Sequence, residues 1–149
     1  MSESTGKPTC SQALSHCLYF TANAVAREIN RLAEEAFAAT GLCPSGALLL
    51  SLVVERPGIA PSEAADLLHL APSSVTRFAD GLVRRNLVHR VPDGRQKLLH
   101  PTPEGVSLIP TIQAAWSRLY EAYSQRVGPD RGRELANELA QVAIQLDQT

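Results

Sequence analysis

Seven polar side chains between positions 73 and 97 carry chemistry suited to a polyanion: the hydroxyls of Ser73, Ser74 and Thr76, the guanidiniums of Arg77, Arg84 and Arg95, and the ammonium of Lys97. On a helix, Ser73, Arg77 and Arg84 share one face with Asp80, while Val75, Phe78, Ala79 and Leu82 fall on the other. A guanidinium can fork onto a guanine edge, and hydroxyl and amide groups at a helix start can bond phosphate, so Arg77 is the expected base reader. Arg95 and Lys97 lie beyond that helix, where they can enter a minor groove or grip its phosphates. Arg85 and Arg90 add positive charge to the same region. A solvated helix carries arginines too, and Arg84 or Arg85 has Asp80 or Glu104 as an alternative partner. The case for recognition therefore rests on the whole constellation and on the elements that present it.

Other chemistry is sparse. The three cysteines, Cys10, Cys17 and Cys43, are odd in number and lack Cys-x-x-Cys spacing, which argues for reduced thiols over a disulfide framework or zinc ribbon. His16, Cys17 and His69 lack metal-ligand spacing. No Gly-rich phosphate loop, nucleophile elbow or zinc-ligand pair occurs, so the chain reads as a non-enzyme with no cofactor and no metal. Cys10 and Cys17 are seven apart, which puts them on one face if a single helix runs through both. His16, Tyr19, Trp116 and Tyr120 could line an effector pocket, although aromatic residues at helical spacing also serve as core or dimer packing.

The elements that must hold these groups can be read from apolar periodicity. With 149 residues, 44% apolar and 19% charged, the chain has the makings of a single packed domain. Its longest apolar stretch, Ala47–Val54, is far short of the roughly 20 residues that cross a bilayer, and the N-terminus has no signal-like layout, so a cytoplasmic protein with no membrane partner is expected. Residues 1–10 read as a mobile arm. Leu18, Ala22, Val25, Ile29, Leu32 and Ala36 form the stripe of a long amphipathic helix ending near Gly41. Pro44 opens a short apolar helix closed by Arg56-Pro57-Gly58. Pro61–Leu68 and Pro72–Arg85, linked by His69-Leu70-Ala71, have helix-turn-helix spacing. Leu87–Val91 and Gln96–His100 read as strands about Pro92-Asp93-Gly94-Arg95. Thr102 caps a long helix running to Val127, with Pro110 expected to kink it, and Asp130–Leu146 forms the last helix. The predicted fold is mainly α with a small β-wing: a winged helix-turn-helix over residues 44–100, flanked by long N- and C-terminal helices over 11–42 and 102–149. One small lobe cannot cover those helices' apolar stripes, so a second copy of the chain is the expected cover. The net charge of −1 leaves any nucleic-acid affinity to a local basic face.

Two stretches carry a family resemblance. Ala71-Pro72-Ser73-Ser74-Val75-Thr76-Arg77 followed by Leu82-Val83-Arg84-Arg85-Asn86-Leu87-Val88 resembles the recognition helix and wing entry of the MarR family, the multiple-antibiotic-resistance type of bacterial regulators. Asp93-Gly94-Arg95, with Thr102 seven residues after Arg95 and Gly105 close behind, is similar to that family's wing motif. The resemblance runs from about Leu18 to Gly105 and is looser beyond. It implies a single MarR-like domain acting as a homodimer, with two recognition helices in successive major grooves of a pseudo-palindromic double-stranded DNA operator. It further implies a repressor released by a small aromatic or phenolic effector or by thiol oxidation, with His16, Cys17 and Tyr19 as candidate effector or redox residues. The alternative is a winged-helix protein interaction module without specific DNA binding, which the slightly acidic balance keeps open. The sequence departs from the pattern at Asn86, where the family usually has Gly, in a shorter wing turn, and at Ala60 and Ala71, which stand where capping Ser or Thr is expected.

Overall fold

Each helix start in the computed structural model, which describes residues 9–147, follows from a residue that can leave the helix conformation or dispense with an amide. Thr9 caps α1 (Cys10–Ser15) in a reciprocal arrangement with Gln12. Proline opens α3 (Pro44–Glu55), α4 (Pro61–Leu68), α5 (Pro72–Arg84), α6 (Pro103–Val127) and α7 (Pro129–Asp147), where its missing N–H costs nothing. Between them lie α2 (Leu18–Phe37), a 3₁₀ turn over Ala38–Thr40, and the strands β1 (Val88–Asp93) and β2 (Gln96–Pro101). The fold is therefore mainly helical with a small two-stranded wing and long flanking helices.

Two boundaries differ from the sequence reading. Residues 1–8 of the expected arm lie outside the described residues, but Thr9 and Cys10 already belong to a capped helix. The long N-terminal helix is interrupted: His16 leaves helical geometry and Cys17 is extended, with φ −91° and ψ 119°, before α2 begins. Cys10 and Cys17 therefore sit on separate helices, not on one face. An apolar stripe that starts at Leu18 carries no information about the two residues before it. Beyond Pro110, in contrast, α6 continues as one helix.

The core lies where α3, α4 and α5 meet the wing, the C-terminal end of α2 and the middle of α6. Leu49, Leu50, Val53, Val75, Leu82 and Leu99 are fully buried there. Phe37 of α2 meets Trp116 of α6 edge to face, with ring centroids 4.6 Å apart, so this aromatic pair joins the two long helices to the lobe. The strands pair antiparallel from Val88↔Pro101 to Asp93↔Gln96. A further bridge, Ile59↔Leu99, with Leu99 N–H donating to Ile59 O at 2.9 Å, fastens the wing to the link between α3 and α4. By comparison, Arg31 between Glu28 and Glu35 on α2 is exposed, and such pairs add little to stability.

The periphery is different. No residue of α1 or α7 is buried, and Leu18, Tyr19, Phe20, Val25, Leu135, Leu139 and Ile144 are exposed. Among the described residues no single helix is long and apolar enough to cross a membrane.

Candidate nucleic-acid interface

The turn between α4 and α5 sets how the second helix leaves the first. His69 ends α4 in the left-handed conformation, φ 51°, and its N–H donates to Asp66 O at 3.3 Å. A non-glycine residue there is strained, and apolar periodicity gives no sign of it. Ala71 then starts α5 with no side-chain cap, as Ala60 starts α4, so neither helix gains what Ser or Thr would supply.

α5 is strongly two-sided. Val75, Ala79 and Leu82 are buried, and Phe78 packs against the core. Ser73, Thr76, Arg77 and Arg84 are exposed and Ser74 half-buried, so the residues proposed to read DNA lie on the face that the core leaves open. The Arg77 guanidinium carbon lies 5.1 Å from the centre of the Phe78 ring, a cation–π contact that engages the charged head of the side chain. Thr76 Oγ1 donates to Pro72 O at 3.1 Å, so its hydroxyl is partly spent within the helix.

Arg95 lies at the two-residue tip between β1 and β2, and Lys97 is cross-strand from Pro92; both are exposed. Among the described residues no ion pair involves Arg77, Arg84, Arg95 or Lys97. Their charges remain available to an external anion.

Two arginines expected to add charge are instead engaged within the chain. Arg90 of β1 donates to Asp80 of α5 at 2.6 Å, a half-exposed ion pair that ties the wing to the helix and neutralises the acidic residue on its open face. Neither Arg84 nor Arg85 takes that partner. Arg85 reaches Gly41 O, 44 residues away, at 2.5 Å. Partners this distant in sequence are chosen only by the fold.

The helix end is fixed by a small assembly. Asn86 is left-handed, φ 55°, as its ability to replace glycine predicts. Thr102 Oγ1 donates to Asn86 O at 2.7 Å and accepts from Gly105 N at 3.0 Å, while Thr102 N–H donates to Leu87 O at 3.1 Å. One threonine therefore caps α6 and holds the end of α5. Gly105 is required by space: a Cβ there would lie 2.1 Å from Leu87 O.

The proposed effector residues are not gathered into one site. His16 and Tyr19 are exposed at the α1–α2 junction, with Tyr19 edge to face on Phe20, and Cys17 is half-buried. Trp116 packs on Phe37 and Tyr120 on Tyr123; among the described residues no ring contact or hydrogen bond joins either to His16, Cys17 or Tyr19. A shallow recess of about 450 Å³ lies beside Trp116 and Tyr120. A larger cleft of about 900 Å³ opens between the helix-turn-helix and α7, lined by Ala65, His69 and Leu70 on one side and Ala140, Ala143 and Ile144 on the other, with Asp66 and Asp147 at its polar positions.

The geometry finds close counterparts among known proteins. Residues 44–96 match the model of the MarR family. A MarR-family transcriptional regulator from Rhodococcus sp. RHA1 is 27% identical, with a TM-score of 0.78 over 89% of this chain and 96% of that one. CouR from Rhodococcus jostii RHA1, solved with p-coumaroyl-CoA, is 26% identical, with a TM-score of 0.75 over 89% and 95%. The transcriptional repressor CouR bound to a 23-mer DNA duplex shares the fold at a TM-score of 0.80, 21% identity and coverage of 92% and 99%. A comparison with curated protein sequences finds no match. Residues 44–96 thus match the winged-helix model of the MarR family, and along nearly its whole length the chain is similar in fold to MarR-family transcriptional regulators.

Proposed function

We propose that two copies of this chain form a twofold dimer that sets one α5 into each of two successive major grooves of a pseudo-palindromic operator and represses transcription until a small aromatic or phenolic effector binds. The observation that carries the reading is the face shared by α5 and the wing, where Arg77, Arg84, Arg95 and Lys97 are exposed and outside any ion pair among the described residues while the opposite side of α5 is buried. A local cationic face of this kind provides phosphate affinity despite a net charge of −1. Arg77 reads a base edge, Arg84, Ser73, Ser74 and Thr76 position the helix on phosphates, and Arg95 and Lys97 hold the wing at the adjoining groove.

The exposed apolar residues of α1, α2 and α7 favour the dimer, because they are too extensive for helices that contribute so little to their own core. The half-sites then fall about one helical turn apart. CouR, bound to DNA in one structure and to p-coumaroyl-CoA in others, supports release by an aromatic acyl effector. The cleft between the helix-turn-helix and α7 is the size of a small-molecule site and borders the element that must move. The Cys17 thiol makes no hydrogen bond among the described residues, so thiol oxidation has less structural support than an effector.

Selection from a random duplex library, followed by salt titration of the selected operator, tests the reading. Expected are a palindromic consensus, a steep negative salt slope, loss of discrimination in Arg77→Ala, and weaker binding in the presence of p-coumaroyl-CoA or simple phenolic acids. Weak binding that is equal for all sequences and indifferent to Arg77 would instead favour a protein interaction module.

A further inference from the structure

We propose that Arg85 is a positioning residue that sets the angle of the recognition helix against the dimer-forming helices, and not a DNA contact. The inference rests on the DNA-binding reading above. Its basis is where the guanidinium goes. Arg85 follows the last residue of α5 and donates from Nη1 to the carbonyl oxygen of Gly41 at 2.5 Å. Gly41 is the left-handed residue, φ 67°, at which the chain leaves α2 and its 3₁₀ turn for α3.

Both partners are built for the contact. A Cβ on Gly41 would lie 3.0 Å from Arg85 Nη2, so glycine there provides the positive φ and the room for the guanidinium to approach. The turn is stiffened from below by Thr40, buried, whose hydroxyl donates to Phe37 O at 2.7 Å and accepts from Leu42 N at 3.0 Å. A charge-assisted bond to so fixed a carbonyl carries directional information that a surface ion pair lacks. On the other side, Asn86 O and Leu87 O are held by Thr102 at the start of α6. The end of α5 is thus tied to α2 by Arg85 and to α6 by Thr102. Since α2 and α6 pack on one another and lead into the exposed apolar helices, these two ties fix where each reading helix points in the dimer.

The consequence is specific to a two-site reader. One additional base pair between half-sites separates them by about 3.4 Å and rotates them by about 35°. A rigidly held pair of reading helices rejects that change, and a loosened pair accepts it. The experiment compares the full-length wild type, Arg85→Met and Gly41→Ala on three duplexes: the selected operator, the same half-sites separated by one extra base pair, and a random sequence, each at several salt concentrations. The expected result is that wild type discriminates strongly between the two spacings and that both variants reduce this ratio by about tenfold, the value of one charged hydrogen bond. Their salt slopes stay at the wild-type value, because no phosphate contact is lost. Gly41→Ala removes no charge and so separates positioning from electrostatics, while the double variant shows no further loss.

Two results overturn the proposal. One is an Arg85→Met slope shallower by about 0.9, with operator and random DNA weakened equally, which makes Arg85 a phosphate contact. The other is unchanged spacing discrimination in either single variant. If wild type itself shows no preference for any duplex, the DNA-binding reading fails, and that failure is visible before the variants are compared.

Discussion

Gly105→Ala tests the physical reasoning most sharply, because the added group is a single methyl and its surroundings are known. A Cβ at position 105 would lie 2.1 Å from Leu87 O, 3.1 Å from Leu87 C and 3.2 Å from Leu50 Cδ1, whereas contacts under 3.0 Å are essentially never adopted. Relief therefore needs a shift of about 0.9 Å or more, and the obstructing atom is backbone, which cannot rotate aside. Leu87 O also accepts from Thr102 N–H, and Gly105 N–H donates to Thr102 Oγ1, so the shift disturbs the cap of α6 and the end of α5 together. Overpacking costs about 1–3 kcal/mol, the cap about 1 kcal/mol, and a weakened hydrogen bond about 1 kcal/mol; since the three are coupled, a total of about 3–4 kcal/mol is expected. For a chain of this length that lowers Tm by about 10 °C. The assay is thermal unfolding followed by circular dichroism at one fixed protomer concentration, because dimerisation makes Tm depend on concentration. Gly94→Ala is the control: its φ is 59°, but nothing lies within 4 Å of the added Cβ, so only the backbone strain of about 1–2 kcal/mol applies. A Gly105→Ala Tm within about 3 °C of wild type, or no lower than that of Gly94→Ala, would refute the steric argument.

Other perturbations address the proposed DNA-binding face. Asp80→Asn breaks the pair with Arg90, which is partly exposed and contributes below about 1 kcal/mol, but it also releases a cation beside the recognition helix. Random-sequence binding measured by anisotropy is therefore expected to tighten and its salt slope to steepen by about 0.9, while the melting temperature hardly changes. Arg77→Ala should cost about 1–3 kcal/mol on the operator and relax the preference at one base pair per half-site, whereas Lys97→Ala should weaken all sequences alike; competition titrations separate the two patterns. Ala71→Ser supplies the missing cap of α5 and is expected to raise stability by about 0.5–2 kcal/mol in urea unfolding, with no gain if the new hydroxyl fails to reach the first-turn amides.

Much of this protein could be read from the chain alone, because the relevant physics is local. Proline at the helix starts, Thr102 as a cap, Asn86 as a left-handed stop and the Asp93-Gly94 turn each depend on a residue's own dihedral preferences and nearest neighbours. The two faces of α5 followed from helical period, so the exposure of Ser73, Arg77 and Arg84 was predictable from spacing. The break at His16-Cys17 was not, since no Pro or Gly marks it and the stripe begins only after it. The left-handed His69 was missed for a similar reason: its conformation is imposed by the packing of α4 on α5, against the preference of a residue with a Cβ. Which cation remained available was likewise a matter of tertiary structure. Arg84, Arg85 and Arg90 look alike in sequence, but Asp80 is 10 residues from Arg90 and Gly41 is 44 from Arg85, and only the folded chain brings those acceptors within reach. Local preference and periodicity thus determined the elements and their faces, whereas pairing across the fold decided which charges bind within the chain and which stay outside any ion pair among the described residues.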